Sequence, residues 1–300
     1  MKRITTIAII LLAGSHLSGL SIGTDFFIGN MAFADDRTED EIDLPVLFPW
    51  GGSIVVDQQV DDQVSFNLGF YSDSTLNYIS YTLIKYTQQF FSITVGPFFG
   101  FFNSPNTRLK PGISTAVRAA IPGIAFLSFR ADSSIGGRLA ESGDYLQERS
   151  DVSIGFYVRN AILSVNLLTK SYIYRTATQE IIDGHIEYSF ETDLFQKNVP
   201  YRILLSFAYQ ERAKSFVDVD DRTISSIHRL RSAVLGTELE LQLTDWLQLE
   251  IKLDSAVYSF GDAGDELLSL PTTGIGQFLF TAGVGAKIDL DGITGGGNSL

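Results

Sequence analysis

The sequence predicts an all-β fold, an up-and-down antiparallel transmembrane β-barrel of about twelve strands. Three observations carry that expectation. Period-2 alternation of apolar and polar residues dominates from about Val60 onward, which is the mark of strands with two unlike faces. The alternating runs are about 10–15 residues long, whereas soluble strands average about 5–6 and a tilted membrane strand needs about 9–11. Very short turns alternate with longer polar connections along the chain, as in a meander that crosses a bilayer repeatedly.

The clearest run places Ala233, Leu235, Thr237, Leu239, Leu241 and Leu243 on one face, with Val234, Gly236, Glu238, Glu240 and Gln242 between them. After Thr244-Asp245 the pattern resumes as Leu247, Leu249, Ile251 and Leu253 against Gln248, Glu250, Lys252 and Asp254. That is a hairpin with one continuous apolar face. Similar runs lie near 60–71, 76–87, 90–102, 112–121, 124–134, 151–160, 162–176, 182–192, 200–212 and 276–290. The turns at 88–89, 122–123, 160–161, 193–199 and 244–245 are mostly short. The connections at 72–75, 103–111, 135–150, 177–181, 213–229 and 260–275 fall on the opposite side.

Composition narrows the function classes. The 300 residues carry 22 Lys+Arg against 35 Asp+Glu, a net charge of −13, and no Cys. An acidic chain without a basic footprint is a poor partner for nucleic acid. Lack of Cys excludes disulfides, thiolate metal sites, thiol nucleophiles and a lipoprotein anchor cysteine. At 12% aromatic residues the chain can bury too much apolar surface to be disordered.

The N-terminus begins with Lys2 and Arg3, then the apolar run 7–14, then Ala32-Phe33-Ala34 before Asp35. This is the layout of a secretory signal peptide, with cleavage expected after residue 34 or nearer Ser21. The expected organisation is therefore a signal peptide at 1–34, an acidic irregular segment at 35–59, the barrel at 60–290 and a Gly-rich tail at 291–300.

On these strands and turns the chain resembles bacterial outer-membrane β-barrels as a class. Gly285-x-x-Ile288-x-Leu290 is similar to the strand ending by which such barrels are recognised for assembly, although this chain continues past it. The resemblance implies an outer-membrane location, with lipid and the barrel-assembly machinery as partners, and no nucleic acid. Oligomeric state is left open by the sequence.

One face of the expected barrel is apolar: Val64, Phe66, Leu68 and Phe70; Phe91, Ile93, Val95 and Phe99; Val165, Leu205, Phe207 and Val284 among others. Tyr71, Tyr86, Tyr174, Tyr188, Trp246 and Tyr258 are placed for interfacial girdles. The other face carries charge unevenly. Arg118, Arg130, Arg159 and Lys170, with Asp132 among them, form a basic wall. Asp183, Glu187, Glu191, Glu238, Glu240, Glu250 and Asp254, with Arg202, Arg212 and Lys252 interspersed, form an acidic one. In a closed barrel these walls face each other across the lumen, an arrangement that tunes ion passage. The competing expectation is local pairing, with Arg202 held between Glu187 and Glu238.

The expected function is a narrow channel for small polar or ionic solutes. The alternative is a non-conducting structural or surface-interaction barrel acting through its outer loops. A barrel enzyme comes third. Asp183-Gly184-His185 and Asp218-Val219-Asp220 together look like the omptin proteases, in which such groups activate a water, but here they occur in reverse chain order. No Gly-x-Ser-x-Gly elbow, P-loop or dinucleotide fingerprint is present. No catalytic residue, metal or cofactor is expected.

Overall fold

The computed structural model describes residues 19–29, 50–73, 76–102, 110–134, 146–175, 179–195, 199–218, 220, 224–260 and 280–290. The strands are β1 (Leu20–Gly29), β2 (Trp50–Gln59), β3 (Val64–Asp73), β4 (Leu76–Thr87), β5 (Phe91–Phe102), β6 (Lys110–Ile121) and β7 (Ala125–Ser134). They continue as β8 (Leu146–Val158), β9 (Ala161–Arg175), β10 (Gln179–Phe195), β11 (Tyr201–Asp218), β12 (Ile224–Thr244), β13 (Leu247–Ser259) and β14 (Phe280–Asp289). Each pairs antiparallel with its sequence neighbours, and β14 pairs with β1 from Ser21↔Asp289 to Gly29↔Thr281, closing the ring.

The all-β barrel matches the expected fold class, and β3 to β14 fall on the twelve alternating runs. Fourteen strands replace about twelve because β1 and β2 arise from the stretches assigned to leader and irregular segment. The barrel wall thus starts at Leu20 rather than residue 60. In β1 the alternation is masked by Phe26-Phe27-Ile28, and in β2 by Gly51-Gly52 and Val55-Val56. β11 and β12 also run through most of the expected loop 213–229, to Asp218 and from Ile224. The leader's apolar core, the acidic run 35–44, residues 261–279 and the tail 291–300 lie outside the described residues.

Alternation sorts the side chains as expected. Phe66, Leu68, Phe70, Phe91, Ile93, Val95, Val165, Leu205, Phe207 and Val284 are exposed on the outer face, an apolar belt that only lipid covers without cost. Tyr188, Tyr209, Phe260 and Tyr258 follow one another around the outer face, with successive ring centroids 6.4, 5.6 and 4.8 Å apart. They form a girdle at the end away from the short turns. Tyr86 and Phe91, 6.3 Å apart, sit at the turn end. Tyr71 departs from the girdle expectation: it shares the inner face with Asn67 and Gly69, and stacks on Phe27 at 6.3 Å. The side chain of Tyr174 lies outside the described residues.

Fourteen strands about 4.7 Å apart and tilted about 40° close into a ring about 27 Å across between backbones. That width exceeds what inward side chains fill in an eight-stranded barrel. Close packing occurs locally: Phe98 on β5 is fully buried against Gly112 on β6, its register partner, and a Cβ at Gly112 would overlap the ring.

Two outcomes follow. The mature protein should retain Leu20–Gly29, because removing β1 leaves an odd number of strands and two unpaired edges in lipid. Intact mass of protein extracted from the membrane checks this, and a chain beginning at Asp35 would refute it. Gly112→Val should destabilise the folded barrel by about 1–3 kcal/mol through overpacking against Phe98, read as a lower urea midpoint in reversible unfolding.

Candidate functional site

The inner face is polar because strand alternation puts every second residue there, and charged residues on that face reach lumen water instead of lipid. Arg118 on β6, Arg130 on β7 and Lys170 on β9 occupy one arc. Glu187 on β10, Glu238 and Glu240 on β12, and Glu250 and Asp254 on β13 occupy another. The two arcs adjoin at β9 and β10, where Lys170 is opposite His185, so they lie side by side around the ring and only their far strands, β6 against β12 and β13, stand across from each other.

Arg159 does not join the basic arc. It sits in the β8–β9 turn with φ 53°, where the chain reverses and no strand face exists. Asp183 lies on β10 opposite Tyr172 and Lys214, and its side chain lies outside the described residues. Arg149 and Asp151 on β8, and Asp193 on β10, belong to the inner face although they are absent from the sequence-derived walls. Extending the period upstream through Gln147, Arg149, Asp151 and Ser153 would have found the first two.

Each arc contains its own ion pairs. Arg130 donates from Nε and Nη2 to Asp132 at 3.2 Å each, and the Ser114 hydroxyl donates to the same carboxylate at 2.5 Å. Asp132 is 2% exposed, so those donors replace its water. Arg149 Nη2 meets Asp151 at 3.2 Å. In the acidic arc, Arg202 Nε donates to Asp193 at 2.6 Å, its Nη2 reaches the second Asp193 oxygen, and Nη1 approaches Glu240 at 3.4 Å. Lys252 bridges Glu238, at 3.3 Å, and Glu250. Gln210 donates to Glu187 at 2.8 Å, and His185 Nε2 lies 3.4 Å from the same oxygen.

The expected Arg202 bridge between Glu187 and Glu238 is therefore replaced by one between Asp193 and Glu240. Register decides this: Arg202 is opposite Glu240, while Glu187 is opposite Gln210, eight residues further along β11. Carboxylate oxygens of Glu238, Glu240 and Glu250 lie within 4.8 Å of one another. Lys252 and Arg202 supply the positive charge there, so the cluster is satisfied by the chain's own cations.

The omptin-like constellation is not assembled. Asp218 ends β11 opposite Gln179, four residues beyond the register of Asp183, and its carboxylate accepts the Asp220 N–H at 2.8 Å to shape the turn. Four residues of strand span about 13 Å, too far for one shared water.

No family model and no curated protein matches the chain. Among solved structures, one described as a bacterial polysaccharide outer membrane secretin is 8% identical, with 92% of this chain and 100% of that chain covered and a TM-score of 0.48. An outer membrane channel of Pseudomonas putida F1 is 7% identical, covering 90% and 95%, with a TM-score of 0.47. The porin NanC is 8% identical, covering 90% and 99%, with a TM-score of 0.41. Strand pairing and the lipid-facing belt already make this chain a closed barrel of the outer-membrane type.

Removing Arg202 should expose how these pairs contribute. Arg202→Gln leaves Asp193, 8% exposed, without its cation and should cost about 1–3 kcal/mol. Adding Asp193→Asn should recover part of that loss in a double-mutant cycle of urea midpoints, and strict additivity would contradict the pairing.

Proposed function

We propose that this outer-membrane barrel is a passive channel for small polar or ionic solutes, and that it has no catalytic role. The observation that carries this reading is the exposure of inner-wall cations despite their ion pairs. The side chains of Arg130, Arg202 and Lys252 are 39%, 43% and 46% exposed on a face that points into the ring. A lumen packed solid by side chains would bury them. In a ring about 27 Å across, such exposure fits a water-filled passage whose charges act on solutes at close range.

The charge balance along the wall sets a preference. Among the described residues of β10 to β13, inner-face Glu187, Glu191, Asp193, Glu238, Glu240, Glu250 and Asp254 outnumber Arg202 and Lys252. On β6 to β9, Arg118, Arg130, Arg149 and Lys170 outnumber Asp132 and Asp151. The wider passage is therefore acidic on one side and basic on the other, with acid in excess. A second reading, surface interaction outside the cell, is favoured by the reach of β10, β11 and β12 beyond the outer girdle.

Planar-bilayer recording of the refolded chain tests the proposal. Discrete, reproducible steps with a cation preference are expected. The double variant Glu187→Gln/Asp254→Asn should move the reversal potential toward non-selectivity while leaving step size within about twofold. Insertion without current would favour the surface reading.

A further inference from the structure

Sequence register assembles an unusual level on the inner wall of β5 to β8. Ser92 is opposite Arg118, Arg118 opposite Ser128, and Ser128 opposite Ser153, so four adjacent strands present hydroxyl, guanidinium, hydroxyl and hydroxyl side by side. One inner-face step toward the outer end, Thr94, Ala116 and Arg130 stand in register. Ala116 is the short member between the two rows' long side chains. The result is a hollow of about 150 Å³ in the lumen wall, floored by the backbone at Val117 and Phe129.

Arg118 is held in an uncommon way. Its guanidinium carbon lies 4.2 Å from the centroid of the Phe126 ring, and Nη2 donates to the Tyr157 hydroxyl at 3.3 Å. It has no carboxylate partner among the described residues. The two acids of this neighbourhood are taken: Asp132 by Arg130, and Asp151, which lines the hollow opposite Arg130, by Arg149. Phe126 can lie under Arg118 because its register partner is Gly155, where a Cβ would overlap the ring. Gly155, Phe126 and Tyr157 thus fix a cation that no carboxylate among the described residues pairs with, the one acid lining the hollow being held by Arg149. The hydroxyls of Ser92, Thr94, Ser128 and Ser153 also lack hydrogen-bond partners among the described residues.

We propose that this hollow is an oxyanion subsite that takes the carboxylate or phosphate group of a solute entering the barrel. The proposal deepens the channel reading and rests on it only for how the solute arrives. Arginine offers a planar fork of N–H donors matched to two oxygens of such a group, and the serine and threonine hydroxyls donate to the remaining lone pairs. The volume equals about five waters at about 30 Å³ each, enough for one carboxylate or phosphate. A bound oxyanion supplies the missing counter-charge to Arg118. The acids of β12 and β13, across the ring from β6, then face the rest of the solute, which suits molecules carrying an ammonium or hydroxyl end.

The test is equilibrium titration of the refolded, detergent-solubilised barrel at constant ionic strength. Inorganic phosphate is followed by 31P NMR and acetate by 1H NMR. Saturable binding of either probe is expected, and the probe that saturates at lower concentration identifies the source of the oxyanion. Arg118→Gln should weaken binding at least tenfold. Arg118→Lys, which keeps the charge and loses the fork, should fall between. Gly155→Val, which displaces Phe126, should weaken binding with Arg118 still present. Heat-modifiable gel migration confirms that each variant is folded, and should Gly155→Val not fold, Arg118→Gln alone decides. Absence of saturation for both probes in the unmodified chain overturns the proposal, as does unchanged affinity in Arg118→Gln. Because binding is read without current, a silent bilayer with saturable binding defeats the channel reading alone. Current without binding defeats the subsite alone.

Discussion

Every other feature depends on closure of the hydrogen-bonded ring. Within a bilayer an unpaired backbone N–H or C=O has no water to turn to, so a sheet survives there only without edges. The β1–β14 seam meets that condition with nine register pairs from Ser21↔Asp289 to Gly29↔Thr281. Its strands approach closely: at Gly29 a Cβ would run into the Phe280 carbonyl and Thr281. Once the ring is closed, strict alternation follows, because each residue faces either lipid or lumen. The outer belt and the inner charges are two consequences of the same constraint.

That constraint explains what was legible in the sequence. From β3 onward, lipid on one side and water on the other enforce alternation over long runs, and all twelve runs became strands. β1 and β2 obey the same rule less visibly. In β1, Phe27 is an inward aromatic resting on Gly51, so Phe26-Phe27-Ile28 reads as continuous apolar sequence next to a leader-like stretch. In β2, Val55 points inward beside Val56, and paired glycines carry no polarity at all. Where the inner face accepts an apolar residue, the period disappears while the strand remains.

The charged walls were legible by sign and not by partner. Sorting charges by strand separated a basic from an acidic arc, but the two adjoin at β9 and β10 instead of facing each other, and Arg159 is lost because the turn begins one residue earlier than expected. Pairing depends on register between strands, which spacing along one strand does not encode. Arg202 meets Asp193 and Glu240 because of how β10, β11 and β12 are offset, and the same offsets put Ser92, Arg118, Ser128 and Ser153 on one level. Local neutralisation also explains how so many charges coexist on one narrow surface: like charges directly opposite each other are costly, and most here are interrupted by an opposite charge or an amide.

The unequal strand lengths give the barrel a lopsided profile. Beyond the ring of Tyr188, Tyr209, Phe260 and Tyr258, the segments 179–187, 210–218 and 224–232 continue as one sheet, about 30 Å along each strand at about 3.3 Å per residue. β3 and β7, at ten residues each, are seven to eleven residues shorter than these three strands. Among the described residues the wall is therefore tallest over β10 to β12. Above the tyrosines its outer face changes character: Glu211 and Arg231 pair there at 3.3 Å, which suits a stretch of sheet wetted on both sides and lifted clear of the apolar belt.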